Sequence, residues 1–306
     1  PELLPATADR THTPPASSMP HLMNVLRPRG TLLGAADSAA SFGLGSPAGI
    51  SIPSYQSMFA GPPIFCLSNS CGAPRRPTVF TRLHESLGLE REQIAIFATY
   101  RHLCDGLGLG DEADALEAYC GRENLHAAWE GAWQAEGQTA PPIAASTDRM
   151  VFDIGMKRLE GDPPRVLYLA FDEADAAGHA GSYEQYLAFL GQYDEYLRSI
   201  DERLEVMRRS GHPAALIVTV DHGRGRGEKW VHHRWNLRGT GELWLLAVGS
   251  GIASDRSSPG DEHYSLYDLG PTISHLLGAP PRESIFGGRV IEAVLDRDER
   301  FVSTEP

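Results

Sequence analysis

The sequence predicts an α/β fold with a mostly parallel central sheet and helices on both of its faces. In the second half of the chain, three short apolar runs follow one another: "RVLYLAF" at 165–171, "AALIVTV" at 214–220 and "ELWLLAVG" at 242–249. Continuous apolar runs without polar alternation are typical of parallel strands that are buried on both faces. A strand, a helix and a second strand in succession also form the unit from which such sheets are built.

The helices of the second half have clear boundaries. The segment "SYEQYLAFLGQYDEYLRSIDERLEVMRRSG" predicts a long amphipathic helix, which begins after Ser182 as N-cap and ends at Gly211. The segment "LYDLGPTISHLLG" at 266–278 predicts a short helix that ends at a glycine. These helices lie between and after the apolar runs, as an α/β fold requires.

The first half of the chain is less regular. The segment "MPHLMNVLRPRG" at 19–30 predicts a helix, and "QIAIFATY" at 93–100 predicts a strand. The segment at 111–137, "DEADALEAYCGRENLHAAWEGAWQAEG", has apolar residues three and four apart and therefore predicts one long helix.

Composition limits the function classes that are open to this protein. The chain has 306 residues, of which 42% are hydrophobic and 22% charged, so it can bury a sizeable core. Its net charge of −13 argues against a general nucleic-acid binder, which is normally basic. A small anionic substrate remains compatible with this charge if metal cations supply positive charge locally. No apolar run reaches the ~18 residues that a membrane span requires.

Four cysteines leave two interpretations open. Cys66, Cys71, Cys104 and Cys120 contain no CxxC pair, which argues against a structural zinc ribbon. Two disulfides in an oxidising compartment and four buried thiols are both compatible with the sequence.

The segment "FDEADAAGHAG" at 171–181 follows the first apolar run directly. Asp175 and His179 stand four residues apart, so they can converge on one cation if this segment forms a helical turn. Zinc accepts such a mixture of oxygen and nitrogen ligands. The alternative is a polar loop in which both side chains are solvated or cap a helix.

The segment "VTVDHGRGRGEKWVHH" at 218–233 ends the second apolar run in the same way. Asp221 and His222 follow the strand, and Gly223 permits a tight turn; an Asx-type turn is the alternative. Ligands bind beyond the carboxyl ends of the strands in parallel sheets, so the two motifs can face one crevice. We expect one of the adjacent His232 and His233 to join them.

The segment "GISIPSYQSMFAG" at 49–61 predicts a helix that starts near Ser51, because Pro53 suits a first helical turn. A serine at this position is often only an N-cap. It also lies beside backbone N–H groups that favour anions such as a phosphoryl group. A nearby metal would lower the pKa of its hydroxyl and make it a nucleophile.

Taken in order, these segments resemble the alkaline phosphatase superfamily, in particular its phosphodiesterase, nucleotide pyrophosphatase and sulfatase-like branches. The start of the region, "TPPASSMPHLMNVLRPRGT", resembles the family's "TPNL..L...G", and "SIPSYQSMFAG" resembles its nucleophile segment. Further along, "DEADAAGH" resembles "D..GH", "VDHGRG" resembles "DHG", and "LYDLGPTISHLLG" resembles "D.aPTi..LLG". The resemblance covers nearly the whole chain.

The resemblance implies one alkaline-phosphatase-like catalytic domain over residues 1–306, with a cap-like insertion at about 100–160. It implies two Zn²⁺ ions, with Mn²⁺ as an alternative. His233 is favoured over His232 because Trp230 stands three residues before it. The implied roles are as follows: Ser51 is the nucleophile, Asp175, His179 and His233 hold one metal, Asp221 and His222 hold the second, and Ser54 binds substrate. Asp172 matches no family role and is interpreted as structural. Arg224 and Arg226 could help to hold an anionic substrate, but are interpreted as part of a solvated basic loop.

The implied activity is the hydrolysis of a small anionic phosphate mono- or diester, with Ser51 as nucleophile at a dinuclear metal centre. Alternatives with the same fold are a sulfatase, a phosphonate hydrolase or a phosphomutase. The sulfatase is disfavoured because "SIPSY" lacks the arginine of "C/S-x-P-x-R". An inactive or truncated relative that binds metal or ligand is a further alternative. Family habit favours a periplasmic or secreted location.

One family feature has no counterpart in the sequence. The second metal of these enzymes also takes an aspartate at the end of the first strand, in "DG.R", before the "TPNL" segment. That position falls before Pro1, and Asp9 is a poor substitute because no apolar strand precedes it. We therefore expect this strand and its aspartate to be lacking, which would leave a gap in the sheet.

Overall fold

The computed structural model describes residues 17–35, 38, 40–61, 66–112, 114–134, 137–254, 262–279 and 287–296, so Asp9 lies outside the described residues. The strands are β1 Gly30–Leu33, β2 Ser41–Gly43, β3 Ile94–Ala98, β4 Glu117–Cys120, β5 Val166–Ala170, β6 Ala215–Thr219, β7 Glu242–Leu243, β8 Leu245–Gly249 and β9 His263–Ser265. The helices are α1 Arg27–Arg29, α2 Ser51–Ala60, α3 Val79–Leu87, α4 His102–Leu107, α5 Arg122–Gln134, α6 Thr147–Glu160, α7 Glu173–His179, α8 Tyr183–Arg209 and α9 Leu269–Leu276. A π-helical stretch, Leu22–Leu26, leads into α1.

Part of the sheet is parallel, as predicted. β3 pairs in parallel with β5 on one side, from Ile94↔Val166 to Ala98↔Ala170, and with β4 on the other. All five residues of β3 are buried, because helices and core side chains cover both of its faces. The predicted strands over 93–100 and 165–171 are therefore confirmed.

The prediction of a mostly parallel central sheet is wrong for the strands around β8, although the short strands β2 and β9 also pair in parallel. β8 pairs antiparallel with both β1 and β6, and a third small sheet has the order β7-β2-β9. A parallel pair requires a crossover, usually an α-helix, whereas the chain between β6 and β8 contains only a short 3₁₀ turn at Gly227–Val231 and the two-residue strand β7. The apolar run of β8 does not reveal strand direction, because alternate residues simply face different clusters: Leu245 faces one and Leu246 the other.

The sheet is interrupted between β5 and β6. Both strands contribute side chains to the same two clusters, for example Tyr168 and Ile217 to one and Leu169 and Leu216 to the other. In the described part of the chain, however, β5 pairs only with β3 and β6 only with β8. Most residues of both strands are half-buried, in contrast to the buried β3 and β8. Within the described residues, the sheet is therefore not continuous between β5 and β6.

Helices cover both faces of the strands. α2, α3 and α9 contribute to the largest cluster, while α8 packs against the opposite face through Tyr196, Leu197 and Leu204. α8 confirms the predicted long helix, with Ser182 as N-cap and Gly211 in a left-handed conformation just beyond its end. α9 confirms the predicted C-terminal helix.

α8 also fixes the N-terminal helical segment. The carboxylate of Asp194 accepts hydrogen bonds from the backbone N–H groups of His21 and Leu22, at 2.7 and 2.8 Å. Asp201 binds the guanidinium of Arg29, with an N–O distance of 2.6 Å. Asp194 satisfies donors that have no partner inside the first turn of a helix, and Asp201 pairs with a side chain at the other end, so the predicted helix over 19–30 is held against the centre of α8.

The segment at 111–137 contains a strand as well as a helix, so the prediction of one long helix is wrong. Glu117–Cys120 form β4, and only Arg122–Gln134 form the helix α5. Gly121 separates them with a φ of 81°, a conformation that favours glycine. The edge of β3 overrides the local helical pattern, since it offers backbone partners to 117–120. The region at about 100–160, expected to contain a cap-like insertion, thus adds β4 to the sheet and packs α5 and α6 on β3.

Both pairs of cysteines form disulfides, Cys66–Cys71 and Cys104–Cys120. The first closes a short surface loop, and the second joins α4 to the end of β4. No helix in the described part of the chain is both long enough and apolar enough to cross a membrane.

The Cys104–Cys120 disulfide should be the more stabilising of the two. Replacing both cysteines by alanine should lower the free energy of unfolding by about 3 kcal/mol, because a longer loop restricts the unfolded chain more. The matched control is the double replacement of Cys66 and Cys71, whose sequence separation is 5 instead of 16 and whose loss should be smaller. Denaturant titration without reductant measures both, and a larger loss in the control would contradict the prediction.

Candidate metal centre

α7 places the first two predicted ligands on one face. β5 ends at Ala170, and α7 begins at Glu173. Asp175 and His179 are therefore one helical turn apart, and the Oδ2 atom of Asp175 lies 3.2 Å from Nε2 of His179. The helical turn that the D-x-x-x-H spacing required is thus present.

His233 joins these two residues from the loop after β6. Its Nε2 atom lies 2.9 Å from Nε2 of His179 and 4.0 Å from Oδ2 of Asp175. Its Nδ1 atom lies 2.9 Å from the backbone oxygen of Gly49. A carbonyl only accepts, so Nδ1 carries the proton and the lone pair of Nε2 faces the other ligands.

The three side chains form a ligand set that suits a metal ion. One carboxylate oxygen and two imidazole nitrogens lie within 4.8 Å of one another, and this combination is typical of zinc. His233 is buried, whereas the adjacent His232 is exposed. The structure therefore brings His233, and not the alternative His232, to the site.

A second group contains Ser51, Asp221 and His222. The Nε2 atom of His222 lies 3.3 Å from Oγ of Ser51 and 3.4 Å from Oδ2 of Asp221. Nδ1 of His222 lies 3.2 Å from the backbone oxygen of Gly223, so Nε2 again presents its lone pair. The ring of His222 stacks on that of His233 with a centroid distance of 3.6 Å. The two groups therefore form one continuous site.

The acids of this site repel one another. Burial, and then the nearby Asp175, raise the pKa of Asp221 to about 7. Burial also raises the pKa of Asp172 to about 7, with contributions from Asp175 and Asp221. Burial lowers the pKa of His222 and of His233 to about 4, so both imidazoles are neutral at neutral pH. The site thus combines acids in need of a cation with neutral nitrogen donors.

Arg224 supplies positive charge beside Asp175. Burial opposes the charge on Asp175, but its pKa is lowered by the interaction with His222 and then by the guanidinium of Arg224, which binds its Oδ1 atom. The same guanidinium donates to the backbone oxygens of Trp230 and Val231, at 2.7 and 3.0 Å. The interpretation of Arg224 as solvated is therefore wrong: only 12% of its side chain is exposed. Arg226 pairs with Glu242.

Two glycines make the close packing possible. A Cβ atom on Gly178 would lie 2.6 Å from Cζ of Arg224, so only glycine lets the guanidinium cross α7. A Cβ atom on Gly223 would lie 2.4 Å from the backbone oxygen of Gly239. Gly223 is absent from the positions with positive φ, so close approach of two backbones explains it better than the predicted turn.

Ser51 begins α2, as predicted, but Ser54 does not reach the site. Ser54 is fully buried, and its hydroxyl donates to the backbone oxygen of Ile50 at 2.8 Å. The structure therefore does not bring the hydroxyl of Ser54 to the site, because it turns back along its own helix.

Asn69 is a residue of this region that the sequence analysis missed. Its Oδ1 atom accepts a hydrogen bond of 3.0 Å from the backbone N–H of Ile52, directly after Ser51. Because Oδ1 is engaged, the amide NH₂ of Asn69 is the part left to donate elsewhere. Asn69 stands inside the loop closed by Cys66 and Cys71. A disulfide between these cysteines would have pointed to an ordered loop around Asn69, but the sequence was equally compatible with free thiols.

Comparisons with known proteins identify the family of this chain. The profile of the Metalloenzyme superfamily matches residues 11–237. Over 145 residues, the chain is 26% identical to the 2,3-bisphosphoglycerate-independent phosphoglycerate mutase 2 of Methanosarcina acetivorans. The match covers 46% of this chain and 26% of that protein, so it spans about a quarter of the relative's length.

Solved structures show the same fold at low sequence identity. The phosphonate monoester hydrolase of Agrobacterium radiobacter superposes with a TM-score of 0.56 at 12% identity, over 89% of this chain and 71% of that one. A 2-O GAG sulfatase superposes with a TM-score of 0.57 at 12% identity, over 87% and 66%. At such identities the likeness concerns the fold alone.

Gly178→Ala should weaken metal binding. The added Cβ atom would displace the guanidinium of Arg224 from Asp175, and the loss of such a supporting contact typically weakens metal binding about 10- to 100-fold. Zinc affinity can be measured by competition with a chromophoric chelator. Gly131→Ala is the matched control, because it also lies in a helix but has no atom within 4 Å of the added Cβ. Equal zinc affinities of the two variants would contradict the prediction.

The adjacent histidines provide a sharper test. His233→Ala removes an imidazole whose Nε2 faces Asp175 and His179, so the metal bound per chain should fall. His232→Ala removes an exposed imidazole and should leave the metal content unchanged. Elemental analysis of both purified variants measures this difference. The assignment of His233 fails if His232→Ala is the variant that loses metal.

Proposed function

This chain belongs to the metalloenzyme superfamily, the alkaline-phosphatase-like group of metal-dependent phosphoryl and sulfuryl transferases and hydrolases, and from this premise we propose that it hydrolyses phosphate mono- or diesters with Ser51 as nucleophile. The observation that supports this most directly is the position of Ser51. Its Oγ atom lies at the start of α2 and 3.3 Å from Nε2 of His222. His222 in turn stacks on the ligand His233.

Ser51 meets the geometric requirement for a nucleophile. Its hydroxyl lies beside Nε2 of His222, a donor suited to a metal ion, and an ion held there would activate the hydroxyl. Attack of Oγ on phosphorus forms a seryl phosphate and breaks the bond to the ester oxygen, which leaves as an alcohol with a proton. Water then releases inorganic phosphate and restores the hydroxyl. Each step is a substitution at phosphorus, so no redox partner is needed.

The residues present suit two metal ions. Asp175, His179 and His233 would hold one, and Asp221 and His222 beside Ser51 would contribute to the second. When bound, such ions stabilise negative charge on the reacting oxygens and lower the pKa of a neighbouring hydroxyl. The nitrogen-rich ligand set favours Zn²⁺, with Mn²⁺ as the alternative.

Binding of the phosphoryl group would depend strongly on these metals, because the start of α2 offers few free backbone N–H donors. Pro53 has no N–H, the N–H of Ile52 donates to Asn69, and that of Ser54 donates to Ile50. The expected binding of the anion by several backbone N–H groups is therefore limited. We assign to the amide NH₂ of Asn69 the contact with a phosphoryl oxygen that had been expected from Ser54.

Esters of sulfate or phosphonate are the main alternative substrates, because the structures with the same fold include enzymes with such names. The sulfatase alternative would need arginine where this chain has Tyr55, whose side chain is buried. A protein that binds metal or ligand without catalysis is a further candidate. Within the described residues we assign only two ligands, Asp221 and His222, to the second metal. This small number favours the binding protein.

We also propose that the protein acts in an oxidising compartment, such as the periplasm or the extracellular space. Both cysteine pairs form disulfides, and such bonds persist mainly outside the reducing cytosol.

Ser51→Ala should reduce hydrolysis of 4-nitrophenyl phosphate and bis(4-nitrophenyl) phosphate by at least about a thousandfold, because the nucleophile is removed. Zinc content should not change. Ser54→Ala is the matched control: it removes the same hydroxyl from a neighbouring position where it contacts only its own helix, so activity should be retained.

The same assays should include 4-nitrophenyl sulfate and a phosphonate monoester. If either of these is turned over faster than the phosphate esters, it becomes the assigned substrate instead. Full metal occupancy without any turnover would favour the binding protein.

A further inference from the structure

A buried carboxylate binds the start of α7, the helix that carries two ligands of the proposed metal centre. Asp148, near the start of α6, has no exposed surface. It lies where the end of β3, the start of α7 and the middle of α8 meet. A charged group in such a place requires partners that compensate for the loss of water, and these partners show what the group holds in position.

Asp148 accepts four hydrogen bonds. Two come from side chains, Oγ1 of Thr99 at 2.5 Å and the hydroxyl of Tyr193. Two come from consecutive backbone N–H groups, those of Asp172 at 2.9 Å and Glu173 at 3.0 Å. The hydroxyl of Tyr193 also accepts the next N–H, that of Ala174, at 3.0 Å. The pair therefore binds the three N–H groups directly before Asp175.

The link between α6 and α7 is reciprocal. The carboxylate of Glu173, in the first turn of α7, accepts from Oγ of Ser146 at 2.7 Å and from the backbone N–H of Thr147 at 2.8 Å. Each helix thus receives an acid from the other at its N-terminus, where backbone donors have no partner inside the helix.

α7 needs this support more than most helices do. It has seven residues, and isolated helices of that length are not stable in water. Its own N-cap residue, Asp172, provides no side-chain cap. The direction in which Asp175 and His179 point is therefore set by contacts from outside α7.

We propose that Asp148 and Tyr193 are positioning residues of the metal centre, which orient α7 so that Asp175 and His179 converge with His233. Their link to catalysis rests on the proposed function, whereas their hold on α7 does not.

Tyr193→Phe is the main test, because it removes one hydroxyl and keeps the ring that stacks on Phe171. Zinc affinity should fall about 10- to 100-fold, the usual effect of losing a group that orients a ligand. Tyr196→Phe is the matched control. Tyr196 also lies on α8 and is buried, but its hydroxyl accepts from Gln192 and its ring stacks on Phe152. Its zinc affinity should equal that of the wild type.

Amide hydrogen exchange of the metal-free protein gives a second readout, which a general loss of stability would not reproduce. In Tyr193→Phe, the amides of residues 172–174 should exchange faster, while those of β3 and β8 keep the wild-type rate. Asp148→Asn retains one acceptor oxygen and should give an intermediate effect on both readouts; Asp148→Ala should give the largest.

The proposal is overturned if Tyr193→Phe matches the wild type in both zinc affinity and exchange at 172–174. It is also overturned if exchange rises equally throughout the protein, since the hydroxyl would then only stabilise the fold. If the wild type binds no metal, the proposed function fails. An increase in amide exchange that is confined to residues 172–174 in Tyr193→Phe would still support the positioning of α7.

Discussion

The repulsion among three buried or half-buried aspartates is the constraint on which this structure depends. Asp172 and Asp175 follow β5, and Asp221 follows β6, so strand ends bring like charges together. Burial and this repulsion raise the pKa of Asp172 and Asp221 to about 7. A fold keeps such an arrangement only where other interactions offset its cost. Arg224 offsets part of it at Asp175, and bound cations would offset the rest.

The histidines complete the site without adding to the charge. Both buried imidazoles donate from Nδ1 to a backbone carbonyl, His233 to Gly49 and His222 to Gly223. Each Nε2 lone pair is therefore directed before any ligand arrives. Because Gly49 stands two residues before Ser51, the segment that places the nucleophile also orients a metal ligand. A displacement of this segment would change both the position of Ser51 and the orientation of His233.

The sequence indicated the chemistry better than the architecture. The ends of the apolar runs located Asp175, His179, Asp221 and His222, because the strand period and the helical turn determine where such side chains point. Strand direction could not be predicted, since buried runs look alike in either direction. Asn69 and Arg224 were missed or misinterpreted for one physical reason: their roles depend on contacts between distant segments. The helical pattern of 111–137 failed because pairing with β3 outweighed the local preference of residues 117–120.

The gap in the sheet explains why these long-range side-chain contacts matter. β5 and β6 share no backbone hydrogen bonds in the described part of the chain, so a sheet ladder does not fix the distance between the two acidic motifs. That distance is instead held by side chains that cross between them: His179 and His233, whose Nε2 atoms lie 2.9 Å apart, and the ion pair of Arg224 with Asp175. Asp148 and Tyr193 hold the start of α7 through its backbone N–H groups. The metal centre therefore rests on side-chain packing and charge rather than on the continuity of the sheet.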